Sequence, residues 1–228
     1  MSKNIFITAT GTDIGKTYVS ALIVKKMREI GYDCGYFKPV LSGIEEQNGQ
    51  LTVSDANYVV NTAKIHCVAD DCVAYWWEEA VSPHLAAKRA GQNIDIQKIK
   101  QKYELLNRKY DCLLIEGAGG ITCPLRVENG EKYLLKDLIK ELEVPIIIVA
   151  DGGLGTINST LLTVEYAKNN NISIIGIILN NFESDNFMHK DNLKQIEYLC
   201  GIKVIATVEK GAKDIEFTEE IWTGNKKI

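Results

Sequence analysis

Proline is scarce in this chain of 228 residues, with four in all against 18 glycines. So little of either excludes a disordered, low-complexity chain or a proline-rich recognition tract. Long apolar runs are missing too. The start, Met1-Ser2-Lys3-Asn4-Ile5-Phe6-Ile7-Thr8, has an apolar run of three residues, whereas a secretory signal needs at least about seven. The longest apolar stretches, 146–150 and 174–179, fall far short of the ~20 residues that span a bilayer. Neither sign of charge dominates: 26 Lys and Arg face 30 Asp and Glu, a net charge of −4. That balance excludes whole-surface attraction to nucleic acid or anionic lipid and leaves room for a local basic site. The six cysteines, at 34, 67, 72, 112, 123 and 200, form no Cys-x-x-Cys, and the three histidines stand apart. This pattern argues for free thiols in a cytosolic chain and against zinc or a disulfide framework.

What is present is an ordinary globular composition, 46% hydrophobic and 25% charged. At roughly 100–200 residues per domain the length fits a single domain, 1–228, burying about 70% of its unfolded surface. Short β-branched runs alternate with helical patterns. Ile5-Phe6-Ile7-Thr8 precedes an amphipathic stretch from Thr17 to about Ile30, and Cys112-Leu113-Leu114-Ile115 follows a helix-like segment over 95–108. The apolar runs 145–150 and 172–179 precede helical segments over 156–168 and 187–199, and Lys203-Val204-Ile205-Ala206 closes the series. Near-continuous apolar strands alternating with helices predict a three-layer α/β domain with a mostly parallel sheet covered on both faces. Ligands of such sheets sit at the carboxyl ends of the strands.

The first strand ends in Thr8-Ala9-Thr10-Gly11-Thr12-Asp13-Ile14-Gly15-Lys16-Thr17. Gly-Lys-Thr at a strand-to-helix turn predicts nucleotide binding. Gly15 lets backbone N–H groups approach phosphate, and the helix start points its dipole at it. Lys16 reaches the β- and γ-phosphates, and the Thr17 hydroxyl can ligate Mg²⁺. The full Gly-x4-Gly-Lys-Thr pattern is broken, because Thr10 holds the first glycine position; the strand and helix around the tripeptide carry the reading. A metal on triphosphate wants one or two carboxylates. Glu116 follows the strand 112–115 and leads into Gly117-Ala118-Gly119-Gly120, expected as flexible backbone beside phosphate. Asp55 reads equally as a metal ligand or as a helix-start acid. Lys38, expected at the end of a short strand Cys34-Gly35-Tyr36-Phe37, reads as a phosphate-pocket lysine or as a solvated one.

Taken together these residues resemble the dethiobiotin synthetase family, over most of the chain and in order. The resemblance rests on Thr12-Asp13-Ile14-Gly15-Lys16-Thr17, Tyr36-Phe37-Lys38-Pro39-Val40-x-Ser42-Gly43 and Ser54-Asp55. It continues through Ser82-Pro83-His84-Leu85-Ala86-Ala87, Ile115-Glu116-Gly117-Ala118-Gly119-Gly120, Leu154-Gly155-Thr156-Ile157-Asn158 and Asn180. The chain departs from the family pattern at Ala9, Gly11 and Asp13, in the stretch Ala206-Thr207-Val208-Glu209-Lys210 where relatives often carry Pro, and at Asn192, where relatives can carry Tyr.

The resemblance implies a P-loop NTPase-like fold with about seven strands. It implies an ATP- and Mg²⁺-dependent enzyme that carboxylates 7,8-diaminopelargonate with CO2 and closes the ureido ring of dethiobiotin. Lys16 and Lys38 would be the catalytic cations, with Thr12 and Ser42 hydrogen-bonding carbamate or amine. The nucleotide would be held by Asp13, Ile14, Gly15, Lys16, Thr17 and Tyr18, by Gly117, Ala118 and Gly119, and at the base by Asn180, Val208, Glu209 and Lys210. Thr17, Asp55 and Glu116 would hold Mg²⁺. The substrate's far end would meet Gly155, Thr156, Ile157 and Asn158, reaching the active site of a second subunit in a homodimer. Two rival classes fit less well. Partitioning and cell-division ATPases carry a signature lysine where this chain has Gly11, and some carry a basic membrane-binding tail. Here the tail 212–228 mixes acids with basics and makes a poor membrane anchor. Amidating synthetases of the corrin pathway carry a glutaminase domain for which this length leaves no room.

Overall fold

The computed structural model describes residues 4–47, 50–128 and 130–217. The amino-terminal Met1-Ser2-Lys3 and most of the mixed-charge tail, 218–228, lie outside the described residues. Strand β1 (Ile5–Ala9) leads through the phosphate loop into helix α1 (Lys16–Glu29). Strand β2 (Cys34–Ser42) is followed by a small antiparallel hairpin, β3 (Glu45–Gln47) and β4 (Gln50–Thr52), and by α2 (Ser54–Thr62). A 3-10 turn, Ala69–Cys72, opens β5 (Val73–Trp77). Helices α3 (Pro83–Arg89) and α4 (Ile96–Lys109) precede β6 (Cys112–Gly120). A second hairpin, β7 (Pro124–Glu128) and β8 (Glu131–Leu134), leads to α5 (Leu135–Leu142). The chain then alternates β9 (Ile146–Asp151), α6 (Thr156–Asn169), β10 (Ile174–Asn180), α7 (Phe187–Cys200) and β11 (Val204–Val208).

Seven strands form one sheet in the order β11-β10-β9-β1-β6-β2-β5, and every pairing in it is parallel. Consecutive residues of β1, β9 and the first part of β6 are buried, so both faces of the sheet are covered. This is why those runs are almost continuously apolar and do not alternate. Helix α4 shows the other periodicity: Ile96, Ile99 and Leu106 face the core, and the Asp95 side chain caps its start by accepting from Gln97 N at 2.8 Å. Strand β1 sits between β6 and β9, so the chain builds one side of the sheet, returns to the middle, and then builds the other. The carboxyl end of β1 is therefore a topological switch point, where a crevice opens.

Two strands run further than expected, and both extensions shape the site. β2 does not end at Lys38 but runs on to Ser42. Through Phe37 it pairs with β6 (Phe37↔Ile115), and from Lys38 onward it pairs with β5 (Lys38↔Val73 to Ser42↔Trp77). The strand thus leaves one neighbour and takes up the other, and Pro39, which has no N–H to give, falls at the parting. Likewise 117–120 is not a flexible turn: β6 continues to Gly120. Its register against β1 slips, with Ile7 opposite Glu116 but Ala9 opposite Gly120. Such a bulge beside a crevice re-aims side chains. Gly117 is needed there for space, because a Cβ would come within 2.6 Å of Leu135 Cδ2 and 2.9 Å of Phe6 Cε1.

Candidate active site

Where β2 parts from β6, a cleft of about 610 Å³ opens over the carboxyl end of β1. The phosphate loop contributes Thr12, Asp13, Gly15, Lys16 and Thr17 to its wall. β2 contributes Lys38 and Ser42, the start of α2 contributes Ser54 and Asp55, and β6 contributes Glu116, Ala118 and Gly119. Most of the phosphate, metal and catalytic residues expected from the sequence therefore converge. Ser82, Pro83 and Cys123 complete the rim; of these, Cys123 carried no signal in the sequence, being a lone cysteine after a strand.

The centre of the cleft is a charge cluster. The Lys38 ammonium lies 2.6 Å from Glu116 Oε1 and 2.6 Å from Asp55 Oδ2. Thr17 Oγ1 donates to the same Glu116 Oε1 at 2.8 Å, and the Tyr36 hydroxyl donates to Oε2 at 3.0 Å. Glu116 and Tyr36 have no exposure to solvent, so each polar atom there needs its partner. Burial alone would lower the Lys38 pKa, but Glu116 and Asp55 together hold it above the usual lysine value. Burial and the Glu116 charge push the Tyr36 phenol well above its usual range, so it stays a neutral donor. Tyr36 entered the sequence reading only as part of a motif. Its role is visible once β2 and β6 lie side by side and its hydroxyl reaches across to Glu116.

Lys16 is buried at the start of α1 and its ammonium donates to the Gly11 carbonyl at 3.2 Å, folding back over the loop. Burial, and then the neighbouring Lys38 charge, lower its pKa. Two cations and two carboxylates thus face one another across the cleft. Gly15 adopts φ 88° at the helix start, which favours glycine. A side chain there would also run into Asn180 at the end of β10. Asn180 is buried, and its amide donates to the Ile14 carbonyl at 2.9 Å while its Oδ1 has no partner.

Other expected residues lie apart from this cleft. Val208 is the register partner of Asn180, while Glu209 and Lys210 line a separate depression beyond the sheet edge. The Tyr18 hydroxyl donates to the Ala212 carbonyl and so ties α1 to the same carboxyl-terminal loop. Gly155, Thr156, Ile157 and Asn158 open α6 and do not line the cleft of their own chain. The loop before them is firmly held: Asn192 donates to the carbonyls of Gly152 and Gly153 at 2.9 Å each, and Asp151 accepts from Gly153 N at 2.7 Å. Asn192 acts here on backbone. Leu154 at the tip is 94% exposed, and Phe187 at the start of α7 is 87% exposed.

Among the described residues no three or more His, Cys, Asp and Glu gather as a metal cluster. Asp55, Glu116 and the Thr17 hydroxyl are hard oxygen donors of the kind that suit Mg²⁺, an ion that keeps few protein ligands and takes the rest from phosphate and water. That the Lys38 ammonium already sits between the two carboxylates marks the spot as one built for positive charge. Among the same residues no helix is long and apolar enough to cross a membrane.

A parallel sheet with a Gly-Lys-Thr loop at its switch point and an acid at the neighbouring strand defines a nucleotide-hydrolase-type α/β fold. Solved structures of that kind are similar over most of their length. A MinC:MinD cell division protein complex from Aquifex aeolicus is 15% identical, covering 92% of this chain and 82% of that one, with a TM-score of 0.53. A ParA family ATPase from Chlorobium tepidum TLS is 12% identical, covering 92% and 84%, with a TM-score of 0.54. At such identities the likeness speaks for the fold alone. The family profile described as an AAA domain matches residues 3–213. An ATP-dependent dethiobiotin synthetase BioD of Brachyspira hyodysenteriae is 51% identical over 211 residues, 92% of this chain and 94% of that protein. One from Clostridium botulinum is 48% identical over 220 residues, 96% of each. The chain belongs to the ATP-dependent dethiobiotin synthetase family.

Proposed function

We propose that this chain uses ATP and CO2 to close 7,8-diaminopelargonate into dethiobiotin, releasing ADP and phosphate. The observation that carries the reading is Lys38, a buried ammonium held between Asp55 and Glu116 beside the Gly-Lys-Thr loop. One amine of the substrate adds to CO2 and gives a carbamate. A carbamate oxygen takes the γ-phosphoryl group of ATP, and ADP leaves. The second amine attacks the carbonyl of that mixed anhydride, the ring closes and phosphate departs. Two anions, carbamate and triphosphate, must meet, so the protein's work is to position and neutralise them.

Lys16 and the backbone N–H groups of 13–17 serve the phosphates. Lys38 turns from its carboxylates toward the carbamate and the transferring group, where positive charge stabilises what develops. Thr12 and Ser42 hydrogen-bond carbamate or amine, and Gly117, Ala118 and Gly119 let backbone approach the nucleotide. Mg²⁺ held by Thr17, Asp55 and Glu116 would neutralise phosphate oxygens that Lys38 cannot cover alone. Asn180, with its free Oδ1, reads the adenine edge near Val208, Glu209 and Lys210, on the side where Tyr18 anchors the loop.

The substrate carboxylate lies several carbons from the amines, beyond reach of the phosphate loop. A homodimer that brings 155–158 of one subunit to the other's cleft supplies it a helix start with free N–H groups. The exposed Leu154, next to that segment in the chain, supports this arrangement. The direct test is incubation with diaminopelargonate, bicarbonate and MgATP, read by mass spectrometry for the cyclic urea. ATP turnover that ignores the diamino acid and responds to DNA would support the switch-ATPase class; a response to glutamine would support the amidating class.

A further inference from the structure

Away from the cleft, two thiols meet at the outer edge of the sheet. Cys67 Sγ lies 3.5 Å from Cys72 Sγ. Cys67 is half-buried in the loop after α2, whereas Cys72 ends the 3-10 turn and is buried. We propose that Cys67 and Cys72 are a reversible disulfide site, Cys67 reacting first with hydrogen peroxide and Cys72 resolving it.

The geometry permits the bond. A disulfide needs about 2.05 Å between sulfurs, so the pair must close by roughly 1.5 Å. Side-chain rotation at either end, with small shifts of the turn, supplies that much. Cys72 precedes β5, which is the outermost strand of the sheet, so no interior strand has to move. The two thiols also differ in the way the chemistry requires. Attack on peroxide needs an accessible thiolate, and resolution needs a second thiol already in contact.

The chemical surroundings favour Cys67 in the first role. Its thiol is held below the ordinary thiol range, chiefly because Cys72 hydrogen-bonds to it, against the opposing effect of burial and with help from the Lys109 charge. The Tyr110 hydroxyl is buried and lies close enough to Cys67 to favour the thiolate further by hydrogen bonding. The competing thiols are worse placed. Burial pushes Cys123 up to about 11 and Cys34 well above the usual range.

The chemistry balances. The Cys67 thiolate attacks one oxygen of hydrogen peroxide and the O–O bond breaks; the departing hydroxide takes up the proton released when the thiol ionised, so a sulfenic acid and one water result. The Cys72 sulfur then attacks Cys67 Sγ, the S–O bond breaks and a second water leaves with the Cys72 proton. Two thiols and one peroxide become a disulfide and two waters, and the two electrons pass from sulfur to oxygen.

The experiment treats the full-length protein with a slight excess of hydrogen peroxide, then unfolds it in iodoacetamide and digests it with trypsin. Both cysteines fall in one tryptic peptide, 65–88. The expected result is that this peptide is about 2 Da lighter and unalkylated, while those carrying Cys34, Cys123 and Cys200 are alkylated, and that dithiothreitol before alkylation reverses the change. Cys72→Ser protein should instead yield a dimedone adduct on Cys67. Full alkylation of peptide 65–88 after peroxide, or oxidation of Cys123 ahead of it, overturns the proposal. The wild-type measurement decides even if the variant folds poorly.

Discussion

Lys38 and Glu116 meet at 2.6 Å, at the residues where β2 and β6 separate. While the strands run together their side chains pack into the core. One residue later the gap between them is wide enough for ligand, and the first side chains to face it are a cation and an anion. The pair is buried, so its members are costly to separate unless something of like charge replaces each. In the proposed mechanism a carbamate offered to Lys38 and a divalent cation offered to Glu116 would do that together and would couple the two ligands through one contact.

Lys38→Gln tests the cationic half. The amide keeps roughly the length and can still hydrogen-bond Glu116, but it cannot stabilise charge on a transferring phosphoryl group. We expect kcat to fall by about 10²–10³-fold, a few kcal/mol, with ATP affinity within severalfold of wild type. Lys16→Gln should damage ATP binding and kcat together. Calorimetric titration with ATP beside steady-state rates separates the two. Turnover of Lys38→Gln within threefold of wild type contradicts the assigned role.

The anionic half is tested at Tyr36 and Glu116. Tyr36→Phe removes the donor on Glu116 Oε2 and leaves a fully buried oxygen unpaired, which costs about 1–3 kcal/mol of stability. With its plane no longer fixed, Glu116 should hold metal less well. We expect a lower Tm and a severalfold higher Mg²⁺ requirement. Glu116→Gln should lose turnover and raise that requirement further. Titrating MgADP and metal-free ADP onto each variant checks this without turnover. A Glu116→Gln protein with wild-type Mg²⁺ dependence removes Glu116 from the metal site, whereas an unchanged Tyr36→Phe protein removes only the positioning role.

Much of this architecture was legible in the sequence, because parallel strands buried on both faces must be apolar throughout. The runs 5–8, 112–115 and 145–150 could hardly be anything else. What stayed illegible were relations between strands. Nothing in Cys34-Gly35-Tyr36-Phe37-Lys38-Pro39 says that the strand changes partners at Lys38; only its pairing with β5 shows it. The glycines 117–120 looked like loose backbone because glycine is weak in strands. Here Gly117 makes room for Leu135 and Phe6, and Gly120 lies against the Ala9 carbonyl where the register has slipped. Asn192 likewise looked like a missing aromatic contact, and its bonds to two loop carbonyls depend on α7 packing against the start of α6.

Asn180 has one structural duty and one proposed duty, and the two are separable. Its amide nitrogen holds the Ile14 carbonyl, fixing the loop on the glycine side, and its unpartnered oxygen would accept from the adenine amino group. Asn180→Ala should raise KM for ATP and relax discrimination against other nucleoside triphosphates. Asn180→Asp keeps an acceptor and loses the donor, so it should raise KM for every nucleotide while retaining the preference for ATP. Competition assays with GTP and CTP measure both. If both variants raise KM equally for all nucleotides, Asn180 is only a loop anchor.

The start of α6 gives the prediction with the widest reach. Its loop is pinned by Asp151 and Asn192, yet it projects Leu154 into solvent and leaves 155–158 off the chain's own cleft. Thr156 N already donates to the Gly153 carbonyl, but a rigid helix start with further first-turn N–H groups and a positive dipole end suits an anion delivered by another molecule. Asn158→Ala should raise KM for diaminopelargonate severalfold and spare KM for ATP. The alternative is that this segment only begins its own helix, and then Asn158→Ala should leave both constants alone. Mixing subunits decides whether the site is shared. Lys38→Gln disables the phosphoryl-transfer side of a site, and Gly155→Glu places a bulky carboxylate where the substrate's would sit. A homodimer of either variant has no intact site. In a hybrid dimer, one site combines both lesions and the other has neither. Unfolding and refolding equal amounts together should therefore restore up to about a quarter of wild-type activity per subunit, since half the dimers are hybrids with one good site in two. Native mass spectrometry verifies that hybrids form. Hybrids without recovered turnover would place the carboxylate site within a single chain.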